Sequence, residues 1–367
     1  MSYFDIVIIG GGIAGASLGA ELVGEASVLI LEREDSAGYH ATGRSVAFWE
    51  ETYGGRLVQP LTSASGPLLR SPDPDFSPRS FLSPRGTLHI GRAGDEPARD
   101  RLMKEFAGRV ELRPVEPAGL VRGLRPQWTV GLLEPAVCDI DVAALHQAYL
   151  RQFRARGGTL QLGVSLASAS GGSAGWRLQT SGGAIDCGVL VNAAGAWADD
   201  VAQRSGVAPI GITPLLRNVV QLRVPDMPSA DLPLIMDLSS RFYFKPEGPG
   251  RVWLTPHDEE PSAPCDAAPE ELAVAEAIAR FQEVVDWPIE AVERKWAGLR
   301  SFAADRAPVF GFDPAAPGFF WFAGQGGFGI QTAPAAALLG ASLLTGNARH
   351  DAVAAIEPVI YSPARFR

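Results

Sequence analysis

Tyr3 to Ile9 is a short apolar run rich in isoleucine and valine, a pattern that predicts a buried parallel strand. Gly10-Gly11-Gly12 interrupts it. From Ile13 to Val23, alanine, leucine and isoleucine recur at helical spacing, and Val28 to Leu31 reads as a second buried strand ending at Glu32. The pattern is β-α-β in about 30 residues. Residues 139–156 predict an amphipathic helix. Asp139 or Asp141 can cap it, Val142, Leu145, Tyr149 and Phe153 share a face, and Gly157 can stop it. Strand-like Leu160-Gln161-Leu162, a hairpin turning at Ser181-Gly182-Gly183 and the apolar run Val189-Leu190-Val191 follow. Residues 55–137 and 212–297 differ in texture. They are rich in proline and in alternating patterns such as Val219-Val220-Gln221-Leu222, and they read as β-rich parts of another unit. Segment 256–270, with Pro256, Pro261, Pro264 and Pro269, reads as a loop. Phe319 to Phe322 is again a buried strand. Gly324, Gly326, Gly327 and Gly329 come next, and then a small-residue helix from about Gln331 to Leu344.

Composition narrows the class. A chain of 367 residues predicts two domains, and 46 % apolar with 20 % charged residues is a globular balance. Lys plus Arg is 32 and Asp plus Glu is 41, a net charge of −9 with no long basic run, which sets nucleic acid aside as a partner. The three cysteines form no CxxC, and the five histidines form no HExxH, so we expect reduced thiols, a cytoplasmic setting and no metal. The start has no basic leader, and no apolar run reaches the roughly 20 residues of a membrane span. We therefore expect no signal peptide and no transmembrane segment, with peripheral contact at the inner membrane face left open.

The first β-α-β carries the chemistry. Gly10-x-Gly12-x-x-Gly15 lies between strand and helix. The first glycine allows the tight turn, the second lets the backbone approach a pyrophosphate, and the third lets helix and strand pack closely. Glu32 ends the second strand, where a carboxylate accepts hydrogen bonds from ribose hydroxyls. The set predicts dinucleotide binding. A nicotinamide enzyme would continue at once with another helix and parallel strand. Here the chain leaves through polar residues 33–47, and a helix-then-strand pattern returns only near residue 140. That interleaving favours FAD over NAD.

Six stretches occur together in order: Gly10-Gly11-Gly12-Ile13-Ala14-Gly15-Ala16-Ser17, Leu31-Glu32-Arg33-Glu34, Gly38-Tyr39-His40-Ala41-Thr42-Gly43-Arg44-Ser45, Val191-Asn192-Ala193-Ala194-Gly195-Ala196-Trp197, Ala297-Gly298-Leu299-Arg300-Ser301 and Gly324-Gln325-Gly326-Gly327-Phe328-Gly329-Ile330-Gln331. With them the chain resembles the D-amino acid oxidase/dehydrogenase family of FAD enzymes, the group of glycine oxidase and sarcosine oxidase. Within it, the chain is most similar to bacterial D-amino acid dehydrogenases of the D-arginine type. The resemblance implies an α/β fold. A Rossmann-like FAD-binding domain would be built from residues 1–80, 139–211 and 298–367, and a β-rich α+β substrate domain from 81–138 and 212–297. FAD would be bound non-covalently by Gly10, Gly12, Ile13, Ala14, Gly15, Glu32 and Arg33. The Thr42-Gly43-Arg44-Ser45 loop would lie along the flavin, with Val164, Ala194, Gly195, Trp197, Gly298, Arg300, Gly327, Gly329, Ile330 and Gln331 completing the site. The helix after Gly329 would aim its positive end at the flavin ring. His40 reads as a supporting residue.

The implied reaction is oxidative deamination of a D-amino acid. Hydride leaves Cα for flavin N5, and water hydrolyses the imino acid to a 2-oxo acid and ammonia. The substrate carboxylate must be held, a task suited to arginine's planar fork. Arg300 and Arg217 match family carboxylate ligands, Tyr243 a hydroxyl contact, and Tyr53, Gln331 and Gly327 pocket-lining positions. Members that favour cationic side chains carry an acid where Thr87 stands and a histidine where Phe48 stands. Phe48, Trp49, Leu234 and Met236 instead predict an apolar pocket for hydrophobic or aromatic D-amino acids, with Glu50 the residue able to reverse that preference. No general base is evident. A secondary amine, a 2-hydroxy acid or a non-catalytic flavin-binding subunit are the alternatives. The electron acceptor, quinone or oxygen, is left open.

Overall fold

The computed structural model describes residues 2–367. Two sheets organise the chain. In the first, β1 (Ser2–Ile9), α1 (Ile13–Leu22) and β2 (Val28–Leu31) form the expected β-α-β unit. β1 lies between β2 and Gly183–Asn192, both parallel to it, so that Ile8 stands beside Ile30 on one side and Val191 on the other. Phe319–Ala323 joins Gly183–Asn192 in parallel, Thr159–Gln161 extends the sheet beyond β2, and an antiparallel pair reaches back to Leu166. Alternation along each strand supplies both faces. Ile6, Ile8 and Ile30 pack with α1, Val142–Ala155 and Gly329–Thr345, while Val7, Ile9, Leu29 and Leu31 pack on the opposite side with Leu190 and Trp321. The mixed α/β architecture is the one expected.

The cap of Val142–Ala155 is Asp141, whose carboxylate accepts from the Ala144 N–H at 2.9 Å. Asp139 lies one strand earlier and pairs with Arg85 and Lys245 instead. Leu145, Tyr149 and Phe153 are buried, and Gly157 leaves the helix at φ +96°. The hairpin turns where Thr180 meets Gly183.

The second sheet has ten strands, the longest being Thr213–Arg223 and Ala291–Phe302, paired antiparallel with Arg217 opposite Gly298 and Leu215 opposite Arg300. The two β-rich stretches also hold helices that the pattern did not predict: Gln59–Arg70, Glu96–Glu105 and Glu271–Val284. Gln59–Arg70 hides behind Pro60, Pro67 and a run of small polar residues. Packing stabilises it, with Gly66 against the Trp49 indole and the Ser65 hydroxyl accepting from the Ala335 N–H at 3.1 Å. Among the described residues, no helix is long and apolar enough to cross a membrane.

Candidate active site

A cavity of about 490 Å³ runs from the end of β2 to the face of the second sheet. At one end, Gly10 turns at φ +112°, where a Cβ would overlap the Ala193 carbonyl, and a Cβ on Gly15 would overlap the Gly10 carbonyl. α1 therefore lies close on β1 with its N-terminus on the cavity. Glu32 is buried there. Its carboxylate accepts from the Gly11 N–H at 2.8 Å and the Glu34 N–H at 3.0 Å, which leaves lone pairs on both oxygens. The Thr42 hydroxyl accepts from the Ile13 N–H at 3.0 Å and ties the 42–45 loop to the helix start. The Val164 N–H is taken by the Glu32 carbonyl. Arg33 lies over the Trp197 ring at 4.0 Å, and the His40 ring packs beside it while pairing with Glu34 at 2.8 Å.

Gly12, Ala14, Ser45, Ala194, Gly195, Gly298, Gly327, Gly329 and Ile330 line the same cavity, whereas Gly15 and Gly43 act behind the wall. The Arg44 guanidinium is committed to protein groups at the cavity wall. It donates to the carbonyls of Ala267 at 2.8 Å and Ala297 at 3.0 Å and pairs with Asp266, so it pins the 266–267 loop. Gln331 is likewise committed. Its amide donates to Thr62 Oγ1 at 2.9 Å and the Tyr53 carbonyl at 3.2 Å, and accepts from the Glu50 N–H. What Gln331 offers the cavity is backbone. The N–H groups at 329–331 open a helix and have no intrahelical partner.

At the other end the sheet register gathers the polar groups. Arg300 is two residues beyond the partner of Arg217, so the guanidiniums are diagonal neighbours on one face. Val219 and Tyr243 have the same parity, while Val220, Phe244 and Leu254 point into the opposite core. Arg217 is 5 % exposed. Its Nε donates to the Asp258 carbonyl at 2.8 Å, but Nη1 and Nη2 have no hydrogen-bond partner. Burial, and then Arg300, lower it to about 10. Arg300 donates to the Tyr53 hydroxyl, and Gly327 leaves room for its guanidinium. Burial raises Tyr243 to about 12, which keeps its hydroxyl protonated and able to donate.

The apolar wall is smaller than expected. Phe48 packs against Tyr53 and Tyr243, with Leu234 and Met236 in the same cluster. Trp49 is not part of it. Successive strand residues face opposite ways, so its indole goes into the first core and donates to the Thr62 carbonyl at 2.8 Å.

Two residues in the proline-rich loop were missed, because no local motif marks them. Glu259 stands 3.6 Å from both Arg217 and Arg300 and 2.7 Å from Arg306. His257 lies against the rings of Tyr243 and Tyr53 and donates through Nδ1 to the Ser240 carbonyl at 2.6 Å. That bond fixes the tautomer and leaves the Nε2 lone pair free. Burial, then Arg217 and Arg300, lower His257 to about 2.

A family model described as "FAD dependent oxidoreductase" matches residues 5–343. The chain belongs to the FAD-dependent oxidoreductase family. FAD is accordingly its cofactor, and the glycine turn, buried Glu32 and long cavity fit an extended dinucleotide. Among relatives of this family, FAD-dependent oxidoreductase domain-containing protein 1 of Xenopus laevis is 27 % identical over 172 residues, 41 % of this chain and 33 % of that protein. The match thus spans about a third of that relative's length. Glycine oxidase from Geobacillus kaustophilus shares the fold at TM-score 0.86 and 21 % identity, covering 100 % of this chain and 99 % of the other. L-proline dehydrogenase from P. horikoshii does so at 0.85 and 20 %, covering 100 % and 98 %.

Proposed function

We propose that this oxidoreductase deaminates a D-amino acid with an apolar or aromatic side chain, using FAD held non-covalently along the long cavity. The observation that carries the reading is the pair of neighbouring guanidiniums at the far end, Arg300 partly buried and Arg217 buried with two unpartnered nitrogens. That is a seat for an α-carboxylate. When bound, FAD supplies the acceptor for the hydride that leaves Cα.

The chain's own residues divide the remaining work. Residues 1–80, 139–211 and 298–367 would hold FAD: the Gly10–Gly15 turn and Ala14 at the pyrophosphate, Glu32 at a ribose, Arg33 and Val164 at the adenosine side. The loop from Thr42 to Ser45, with Ala194, Gly195, Trp197, Gly298, Gly327 and the helix start at Gly329-Ile330-Gln331, would take the rest. Residues 81–138 and 212–297 would form the substrate side. Arg300 and Arg217 hold the carboxylate, Tyr243 donates to it, and Tyr53 steadies Arg300. The amine enters already neutral, its proton lost to water, because His257, lowered to about 2, is too weak a base to take it. Phe48, Val219 and Tyr243 exclude water around Cα. We place the enzyme in the cytoplasm or at the inner membrane face, delivering electrons to a quinone or to oxygen.

The test is anaerobic loss of the flavin's visible absorbance with paired D- and L-amino acids, followed by steady-state rates on D-Phe, D-Met and D-Arg. Fast bleaching by D-Phe or D-Met is expected. A clear preference for D-Arg overturns the apolar pocket, reduction by sarcosine or proline alone moves the reaction to secondary amines, and no bleaching at all removes the catalytic reading. A basic side chain is the second reading, because Glu50 lines a second cavity that shares Tyr53 and Arg300 with the first.

A further inference from the structure

Away from the guanidinium pair, three buried ligand-type side chains meet where the loop after Phe48–Trp49 crosses the second sheet. Thr87–Arg92 pairs with Trp128–Glu134 so that Thr87 faces Glu134 and His89 faces Leu132. His89 and Glu134 are therefore diagonal neighbours on one face, and Glu50 descends onto them from the loop. Exposure is 0 % for Glu50, 4 % for His89 and 1 % for Glu134. We propose that Glu50, His89 and Glu134 bind one divalent transition-metal ion of the zinc type, which fastens the loop carrying Tyr53 to the sheet.

Three observations carry this. His89 Nε2 is buried with no hydrogen-bond partner, although it points at both carboxylates. Its separations, 3.4 Å to Glu50 Oε1 and 3.8 Å to Glu134 Oε2, are too long for hydrogen bonds. Two ligand atoms each about 2.1 Å from a tetrahedral ion stand about 3.4 Å apart, so the gap suits an ion rather than a proton. One ligand atom from each of the three residues lies within 4.8 Å of the others.

Charge points the same way. Two carboxylates face one imidazole, and the described ion pairs give neither carboxylate another cationic partner. A dry site with two carboxylates must take up protons or a cation, and a divalent ion neutralises both carboxylates at once. The outer contacts are those of a metal site. The Thr52 hydroxyl lies 2.6 Å from Glu134 and 3.2 Å from Glu50, and the Glu51 N–H donates to Glu134 at 3.1 Å. An imidazole with two carboxylates suits zinc or a neighbouring first-row ion. The ion would also consume the charge of Glu50, removing it as a partner for a basic substrate.

The test strips the FAD-loaded protein with a chelator, desalts it, adds zinc chloride and measures zinc per FAD after gel filtration. One retained zinc per FAD is expected, with the melting temperature raised by roughly 3–4 °C at a hundredfold excess over Kd. His89→Ala and Glu134→Gln are expected to fall to background zinc with flavin content unchanged. X-ray absorption of the zinc-loaded wild type is expected to show an oxygen/nitrogen shell with one imidazole, and it decides the matter if both variants fail to fold. Failure of the wild type to retain zinc, a sulfur-containing shell, or undiminished zinc in the folded variants overturns the proposal.

Discussion

Replacing Arg217 with methionine separates the two effects of this guanidinium. In the fold it is a burden. Two of its nitrogens are buried without a partner, and each unpaired buried donor costs about 1–3 kcal/mol. It also lies beside Arg300, whose charge disfavours its own. Against this stand one bond from Nε to the Asp258 carbonyl, contributing about 1 kcal/mol, and long ion pairs at 3.6 Å with the carboxylates of Asp258 and the partly exposed Glu259. Methionine keeps most of the volume and removes the orphaned donors along with the two long ion pairs, so the melting temperature of Arg217→Met is expected to stay close to that of the wild type. For the substrate the sign reverses. Removing one partner from a buried charge pair costs about 2–5 kcal/mol, a fall in kcat/KM of roughly thirty- to four-thousand-fold. Arg217→Lys keeps the charge without the fork and is expected to lie between. The assay is anaerobic flavin reduction by the best amino acid of the panel, with flavin content and a melting curve on the same preparation. A folded, flavin-replete Arg217→Met enzyme that keeps kcat/KM within about tenfold of the wild type refutes the reasoning.

Three further outcomes are expected. Gly15→Ala puts a Cβ into the Gly10 carbonyl and should yield protein that no longer retains FAD, read from absorbance after gel filtration. Tyr53→Phe leaves an Arg300 donor without its hydroxyl, and KM should rise about tenfold, in line with roughly 1–3 kcal/mol for an unpaired charged donor; an unchanged KM would show that the bond plays no part in holding substrate. His257 is held neutral well below its ordinary range by burial and the two arginines. The unfolded chain therefore binds its proton first, and stability should be lost as pH falls below about 6.5 toward 2, by at most about 1.4 kcal/mol per pH unit. His257→Gln should flatten that part of the acid limb in melting curves. Equal limbs would mean that His257 protonates freely in the fold.

Local pattern sufficed for the nucleotide end. β1, α1 and β2 were readable because a parallel strand buried on both faces is apolar throughout, and the glycines were readable because one close approach demands each of them. Helix Gln59–Arg70 was not, since its stability comes from Trp49 and the Gly329–Thr345 helix rather than from its own residues. Trp49 was misplaced because a composition of apolar residues does not say which face of a two-residue strand each one takes.

What the chain determined by itself was therefore the set of groups made by neighbours in sequence: the glycine turn, the acid at the end of β2 and the family they mark. Tertiary structure alone decided which distant groups meet. Strand register put Arg217 diagonal to Arg300 and His89 diagonal to Glu134, while the packing of loops and a helix on the sheets committed the Arg44 and Gln331 side chains to the protein, brought in His257 and Glu259 from a loop without a motif, and set Glu50 onto His89 and Glu134. Register shifted by a single residue would turn the strand side chains Arg217, Arg300, His89 and Glu134 to the opposite face, and no local sequence signal specifies it.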